Sequence, residues 1–214
     1  MTYRGPDTLW HEHRREERLA ALDSAHMQPL NAFREHLQLN SDRDMPNFDP
    51  YDGGISARLL ILLETPGPSP VERGRRFVSI DNPTGTAKNL RTALTGAGIS
   101  RRDIVLWNTV PWVRATRGSI VASERREGIM GLAGLLPLLP NLRVAILAGA
   151  VASGAEGVLV DAGIEVILCP HPSPTLINTS PTLRDRLHAV FEAAAAKLDQ
   201  SKTAIEISRT MRWN

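Results

Sequence analysis

Glu64, Asn108 and His171 each come at the end of an apolar run of strand character and lead into a turn stiffened by proline or glycine. The turns read Glu64-Thr65-Pro66-Gly67-Pro68, Asn108-Thr109-Val110-Pro111-Trp112 and Pro170-His171-Pro172-Ser173-Pro174. A carboxylate can orient water or offset positive charge, a carboxamide presents donor and acceptor side by side, and an imidazole can donate or accept near neutral pH. Taken singly, each is more often a turn, capping or solvated residue than a catalytic one. Their coincidence at three strand ends argues for a site, without naming a reaction.

Other chemistries fail on residue inventory. The one cysteine, Cys169, rules out an intrachain disulfide, an all-cysteine zinc site and an iron–sulfur cluster. A zinc nucleobase deaminase is excluded by the same shortage. The glycines from Gly149 to Gly157 lack the Lys-Ser/Thr of a phosphate loop and the Gly-x-Gly-x-x-Gly of a dinucleotide fold, and read as close packing at a helix start. His11 and His13 flank Glu12 at a spacing wrong for a helical metal pair. No metal and no cofactor are expected.

The elements that must position these residues follow from periodicity. Residues 57–64, 103–109, 142–149 and 164–170 have the continuous apolar character of strands buried on both faces. Helical patterns lie near 85–97, 123–138, 150–162 and 181–199. Alternation of this kind predicts an α/β fold, a three-layer α/β/α sandwich around a central four-stranded parallel sheet. Loops at the carboxyl ends of such strands form the binding crevice, which is where the three polar residues fall. Ahead of the core, patterns at about 7–22 and 27–38 predict two helices packing through Leu19, Leu22, Leu30, Phe33 and Leu37, and residues 41–54 read as an irregular connector. Residues 200–214 read as an uninformative tail.

Length and composition suit one domain over residues 1–214: 214 residues, 42% hydrophobic and 22% charged. No run approaches the roughly 20 apolar residues that span a bilayer, and the amino terminus has no apolar stretch of signal-peptide type, so a cytoplasmic protein without a membrane partner is expected. The net charge of only +2 is a weak pointer to nucleic acid unless the positive residues cluster. Clusters do occur at Arg73, Arg75 and Arg76, at Arg101 and Arg102, and at Arg114 and Arg117, although solubility is the simpler explanation for any one of them.

With these residues in place, the chain resembles the uracil-DNA glycosylase superfamily from about Phe48 to Leu198. Leu63-Glu64-Thr65-Pro66-Gly67 is similar to the first motif, which is Gly-Gln-Asp-Pro-Tyr in one branch and Gly-Glu-Ala-Pro-Gly in an iron–sulfur branch. Leu106-Trp107-Asn108-Thr109-Val110 resembles the strand with the uracil-reading asparagine, and His171-Pro172-Ser173-Pro174 matches the third motif. Arg76-Phe77-Val78-Ser79 resembles the segment whose ring stacks on the base.

The resemblance implies a monofunctional enzyme that flips uracil from single- or double-stranded DNA and hydrolyses its glycosidic bond, leaving an abasic site and free uracil. Phe77 would stack on the base, with Pro66 and Gly67 in the pocket wall. Asn108 would accept from N3–H and donate to O4, a pattern cytosine opposes. His171 would donate to O2 as charge develops on the leaving ring, and Glu64 would stabilise the oxocarbenium and position water. Arg75, Arg76 and Ser173 would meet the DNA backbone, and Leu176 would fill the gap left by the flipped base. An ordinary monomer is expected.

Departures from the motifs leave alternatives open. Thr65 occupies the place of the aspartate, so either Glu64 or the Thr65 hydroxyl holds the water. Gly67 replaces a thymine-blocking tyrosine, leaving Pro68 or Val78 to exclude the methyl. Phe77 has an ordinary reading as core filler, and Leu176 as cover for the sheet. A non-catalytic module that binds uracil or abasic DNA is the second functional reading, while an acyl or phosphoryl hydrolase built on Glu64 and His171 lacks a convincing nucleophile.

Overall fold

Unbroken runs of leucine, isoleucine and valine bury both faces of a strand only where helices cover the sheet on both sides. The computed structural model describes residues 5, 7–41, 43–67, 77–114 and 118–210, the side chains of 201–210 excepted. In chain order it contains α1 (Glu12–Ala20), α2 (Gln28–Ser41), β1 (Asn47–Phe48), β2 (Leu59–Leu63), β3 (Phe77–Val78), α3 (Gly85–Gly96), β4 (Ile104–Asn108) and α4 (Ala122–Leu135). There follow β5 (Val144–Ala148), α5 (Ala150–Ser153), α6 (Glu156–Asp161), β6 (Glu165–Cys169), α7 (Pro174–Ile177) and α8 (Pro181–Thr210).

Four strands form one sheet in the order β4-β2-β5-β6, and every neighbouring pair is parallel. Helices α3, α7 and α8 pack with one another along one face, while α2, α4, α5 and α6 make the opposite layer. This is the three-layer sandwich. Three of the four apolar runs are buried as expected, Leu59 to Leu62, Ile104 to Trp107 and Val144 to Ala148, whereas the fourth forms the edge strand β6, where Glu165 and Leu168 are exposed and only Cys169 is buried. Trp107 is held by a parallel stack on Phe48, with centroids 4.0 Å apart, and by the tilted ring of Phe33 at 6.3 Å. Register places Leu63 of β2 beside Asn108 of β4, so both strands end at one rim.

The structure departs from the periodicity in several places. Strands β1 and β3 pair in parallel through two residues each, Asn47 with Phe77 and Phe48 with Val78. Pairs this short have no periodicity to detect, and β1 lies within the stretch that reads as an irregular connector. Residues 150–162 divide into α5 and α6. The final helix continues to Thr210, into the stretch expected to be tail.

The largest departure concerns α1. It starts at Glu12, and its buried residues are Arg15 and Arg18, whereas Leu19 and Leu22 are only half-buried. The physical reason is a set of buried carboxylates beneath the helix. Arg18 donates from Nε to Asp49 at 2.9 Å and from Nη2 to Asp81 at 2.6 Å. Arg101 donates to Asp52 at 2.7 Å and to Asp49 at 2.6 Å, and also to Asp81. The Arg18 guanidinium lies 3.2 Å from the centre of the Tyr51 ring, so an apolar face on α1 would leave these acids unpaired.

Candidate active site

The carboxyl rim of the sheet closes around a cavity of about 300 Å³. Its wall contains Glu64, Thr65, Pro66 and Gly67 from the β2 exit, Phe77 and Val78 from β3, Asn108 from the end of β4, and His171 from the β6 exit. Residues from four separate stretches of chain therefore meet at one place, as the crossover topology of a parallel sheet dictates.

Backbone bonds weld the β2 and β4 exits together. The Thr109 N–H and hydroxyl donate to the Leu63 carbonyl at 2.8 and 2.9 Å, and the Val110 N–H donates to the Glu64 carbonyl at 2.9 Å. Asn108, only 3% exposed, is thus held next to the strand end that carries Glu64. The Thr65 hydroxyl makes only a long contact to the Pro66 carbonyl, at 3.5 Å.

The His171 loop is anchored from two directions. Asn89 of α3 donates its side-chain amide to the Pro172 carbonyl at 3.0 Å. Gly85, at the start of α3, lets that helix seat directly on the loop: a Cβ there would fall 2.1 Å from Pro174 Cγ. Beneath the imidazole lies Gly149, with φ +97°, where a Cβ would fall 2.8 Å from Glu64 Oε1 and 3.1 Å from His171 Cβ. Glu64, His171 and the Gly149 backbone consequently share one small volume. Burial holds the His171 imidazole below its ordinary pKa, and the Glu64 charge opposes that shift without overcoming it. A neutral imidazole beside a carboxylate is the resulting state near pH 7.

Phe77 is 2% exposed and lies in the cavity wall, so it is at once a core side chain and a surface of the site. Its carbonyl accepts the side-chain amide of Asn82 at 2.9 Å. The segment beyond it is fixed from below: Ser79 Oγ donates to Asp49, and the Asp81 N–H donates to Ser79 Oγ at 2.9 Å. The buried Arg18, Arg101 and aspartate cluster therefore supports the strand that carries the ring. Burial raises the Asp52 carboxyl well above the usual carboxylate range, although Arg101 pulls the other way. For the Arg101 guanidinium, burial alone would lower the pKa, and the surrounding Asp52, Asp49 and Asp81 charges reverse that and raise it. Arg101 is thus consumed by internal ion pairs, so it is not one of the free basic groups its position beside Arg102 suggests.

The remaining sequence candidates lie elsewhere. Ser173 stands at the position before α7 without a side-chain capping bond, and Leu176, 42% exposed, sits on that short helix, next to the His171 loop but not in the cavity wall. Arg73, Arg75, Arg76, Pro68 and Arg117 lie outside the described residues. Arg114 is paired with Glu124 at 3.0 Å. Among the described residues, no group of three or more His, Cys, Asp or Glu could hold a metal, and burial pushes the Cys169 thiol up to about 12.

Pro46, Ser79, Asn82, Thr84, Thr86 and Gly149 belong to the site or its floor and were not legible in the sequence. Only Thr84 carries a local signal, as the N-cap of α3 accepting from the Ala87 N–H at 3.2 Å. That signal marks a helix start and says nothing of a pocket.

The fold and cavity together define an open parallel α/β protein with a rim site of polar groups against an aromatic wall. The family model for the uracil DNA glycosylase superfamily matches residues 50–197, and the chain belongs to that superfamily. Among solved structures, it is similar to a candidate uracil DNA glycosylase from Methanosarcina acetivorans, at 18% identity and a TM-score of 0.44, covering 71% of this chain and 97% of that one. It is also similar to wild-type UNG from Nitratifractor salsuginis, at 13% identity and a TM-score of 0.45, covering 84% of this chain and 96% of that one. A single-substitution variant of the same UNG gives 14% identity, a TM-score of 0.45 and coverage of 84% and 98%. No curated protein sequence matches the chain. Among the described residues, no helix is long and apolar enough to cross a membrane.

Proposed function

We propose that this protein is a monofunctional uracil-DNA glycosylase, acting as a single-domain monomer on an extruded uracil and leaving an abasic site. The observation that carries the reading is the convergence of Glu64, Asn108, His171 and Phe77 on one cavity wall. A base lifted out of its stack needs an apolar plane, groups that read its edge and a place for developing charge. Phe77 supplies the plane, with Pro66, Gly67 and Val78 beside it.

In this mechanism Asn108 accepts from uracil N3–H and donates to O4. As the C1′–N1 bond breaks, its electron pair passes to the uracil ring, and the neutral His171 donates to the oxygen at C2. Such a donor acts more strongly on the transition state than on the ground state, because the oxygen gains charge only as the bond opens. Glu64, next to the imidazole, offsets the positive character of the sugar and orients the water that adds to C1′. One water proton is released and the uracil anion takes up a proton after departure. The Thr65 hydroxyl, also on the wall, is a second holder for that water. Ser173, Leu176, Arg75 and Arg76 are assigned to the DNA strand around the extruded nucleotide.

The test uses single- and double-stranded oligonucleotides with one uracil, incubated with the protein and then treated with alkali. Strand cleavage after alkali, with uracil released at a catalytic rate, is the expected result. Tight binding without release would instead support a non-catalytic uracil- or abasic-DNA-binding protein. Cleavage without alkali would overturn the monofunctional assignment.

A further inference from the structure

Asn82 has a fixed orientation and an unused acceptor. Its Nδ2 donates to the Phe77 carbonyl at 2.9 Å, and turning the amide over would set oxygen against oxygen, so Oδ1 cannot trade places with Nδ2. Oδ1 is buried and has no hydrogen-bond partner among the described residues. The residue lies in the wall of the same cavity as Phe77 and Asn108. A buried acceptor left unpaired is unfavourable, and a donor brought to it by a bound ligand would satisfy it.

The segment that carries Asn82 is not free to move aside. Ser79 is tied to the buried Asp49, and the Asp81 carboxylate is held by both Arg18 and Arg101. The Asp81 carbonyl also accepts the Leu9 N–H at 2.9 Å. The acceptor is therefore presented by a clamped loop, and relaxation cannot easily find it another partner.

We infer that Asn82 is a second base-reading residue, whose Oδ1 accepts the N–H of the bound base alongside Asn108. The inference rests on the function proposed above. Uracil joined to a sugar has a single ring N–H, at N3, and two carboxamide oxygens from different elements would share it as a three-centre bond. Cytosine carries a lone pair at that position and would meet two oxygens, so the pair discriminates more strongly than one amide alone. Asn82 is a specificity residue in this scheme and takes no part in proton transfer.

The experiment compares single-turnover release from oligonucleotides containing either uracil or N3-methyluracil. The methyl group both removes the donor and fills the space next to Oδ1. Asn82→Ala is expected to slow release of uracil by roughly 10-fold, in line with one buried hydrogen bond, and to raise the N3-methyluracil to uracil ratio by a similar factor. If Asn82→Ala does not fold, as judged by circular dichroism, Asn82→Ser takes its place. Equal slowing of both substrates by Asn82→Ala would assign the effect to the Phe77 contact and overturn the inference. Wild-type protein that releases no uracil removes the functional reading and this inference together, whereas wild-type release with an unmoved ratio removes the role of Asn82 alone.

Discussion

Replacing Gly149 with alanine tests the geometry of the site with one methyl group. The residue has φ +97° and ψ 171°, a region open essentially to glycine, and holding another residue there costs about 1–3 kcal/mol. For a chain of this size each kcal/mol lowers the melting temperature by roughly 2–4 °C, so a fall of about 2–12 °C is expected. The new Cβ would also lie 2.8 Å from Glu64 Oε1, and the carboxylate must retreat by 0.6 Å (3.4 − 2.8) to reach the near edge of ordinary contact. His171 Cβ at 3.1 Å must shift as well. A 1 Å misplacement of reacting groups costs on the order of 100-fold in rate, so a loss of about 10- to 100-fold is expected here. Single-turnover uracil release and a thermal melt measure the two effects separately. Gly157→Ala is the control: in α6 its Cβ would meet nothing within 4 Å, so the rate should hold while stability rises by up to ~1 kcal/mol. A Gly149→Ala protein as fast as the parent would refute the placement of Glu64 and His171 against this backbone.

Glu64→Ala and His171→Ala should each reduce uracil release by about 100-fold or more, as loss of a transition-state donor or charge does; near-parental single-turnover rates would remove them from the mechanism. Because burial lowers the His171 pKa, its neutral form should persist below the ordinary value of 6.5, giving a rate flat above that pH and falling only under it. The same sign makes the unfolded chain take up the proton first, so the imidazole's contribution to stability declines on acidification through 6.5. An NMR titration placing the His171 midpoint above 6.5 would contradict the neutral donor. Asn108→Asp should weaken discrimination against cytosine, read as the ratio of release from uracil- and cytosine-containing strands. Arg18→Met should destabilise the fold by about 3–5 kcal/mol, because it strips a partner from buried Asp49 and Asp81; a loss below about 1 kcal/mol in urea denaturation would show that the cluster is not a clamp.

What the sequence determined by itself was the sheet and the identity of its terminal residues. Runs such as Leu59–Leu63 and Val144–Ala148 are apolar on every residue, and only a strand covered on both faces satisfies them. Polar residues at the ends of such runs must then gather at one rim, so Glu64, Asn108 and His171 could be named before any coordinates. Tertiary structure decided what lies around and beneath them. Gly149 reads as mere helix-start packing, because nothing local reveals that a carboxylate and an imidazole from other strands arrive above it. Arg101 reads as surface charge and Arg18 carries no local signal at all, since the aspartates that draw them inward lie 31 or more residues away for Arg18 and 20 or more for Arg101. The unused oxygen of Asn82 exists only because a strand of two residues delivers the Phe77 carbonyl to its amide. Periodicity reports which side of an element is buried; it carries no information on which distant group waits there, and that pairing is where the chemistry of the pocket is set.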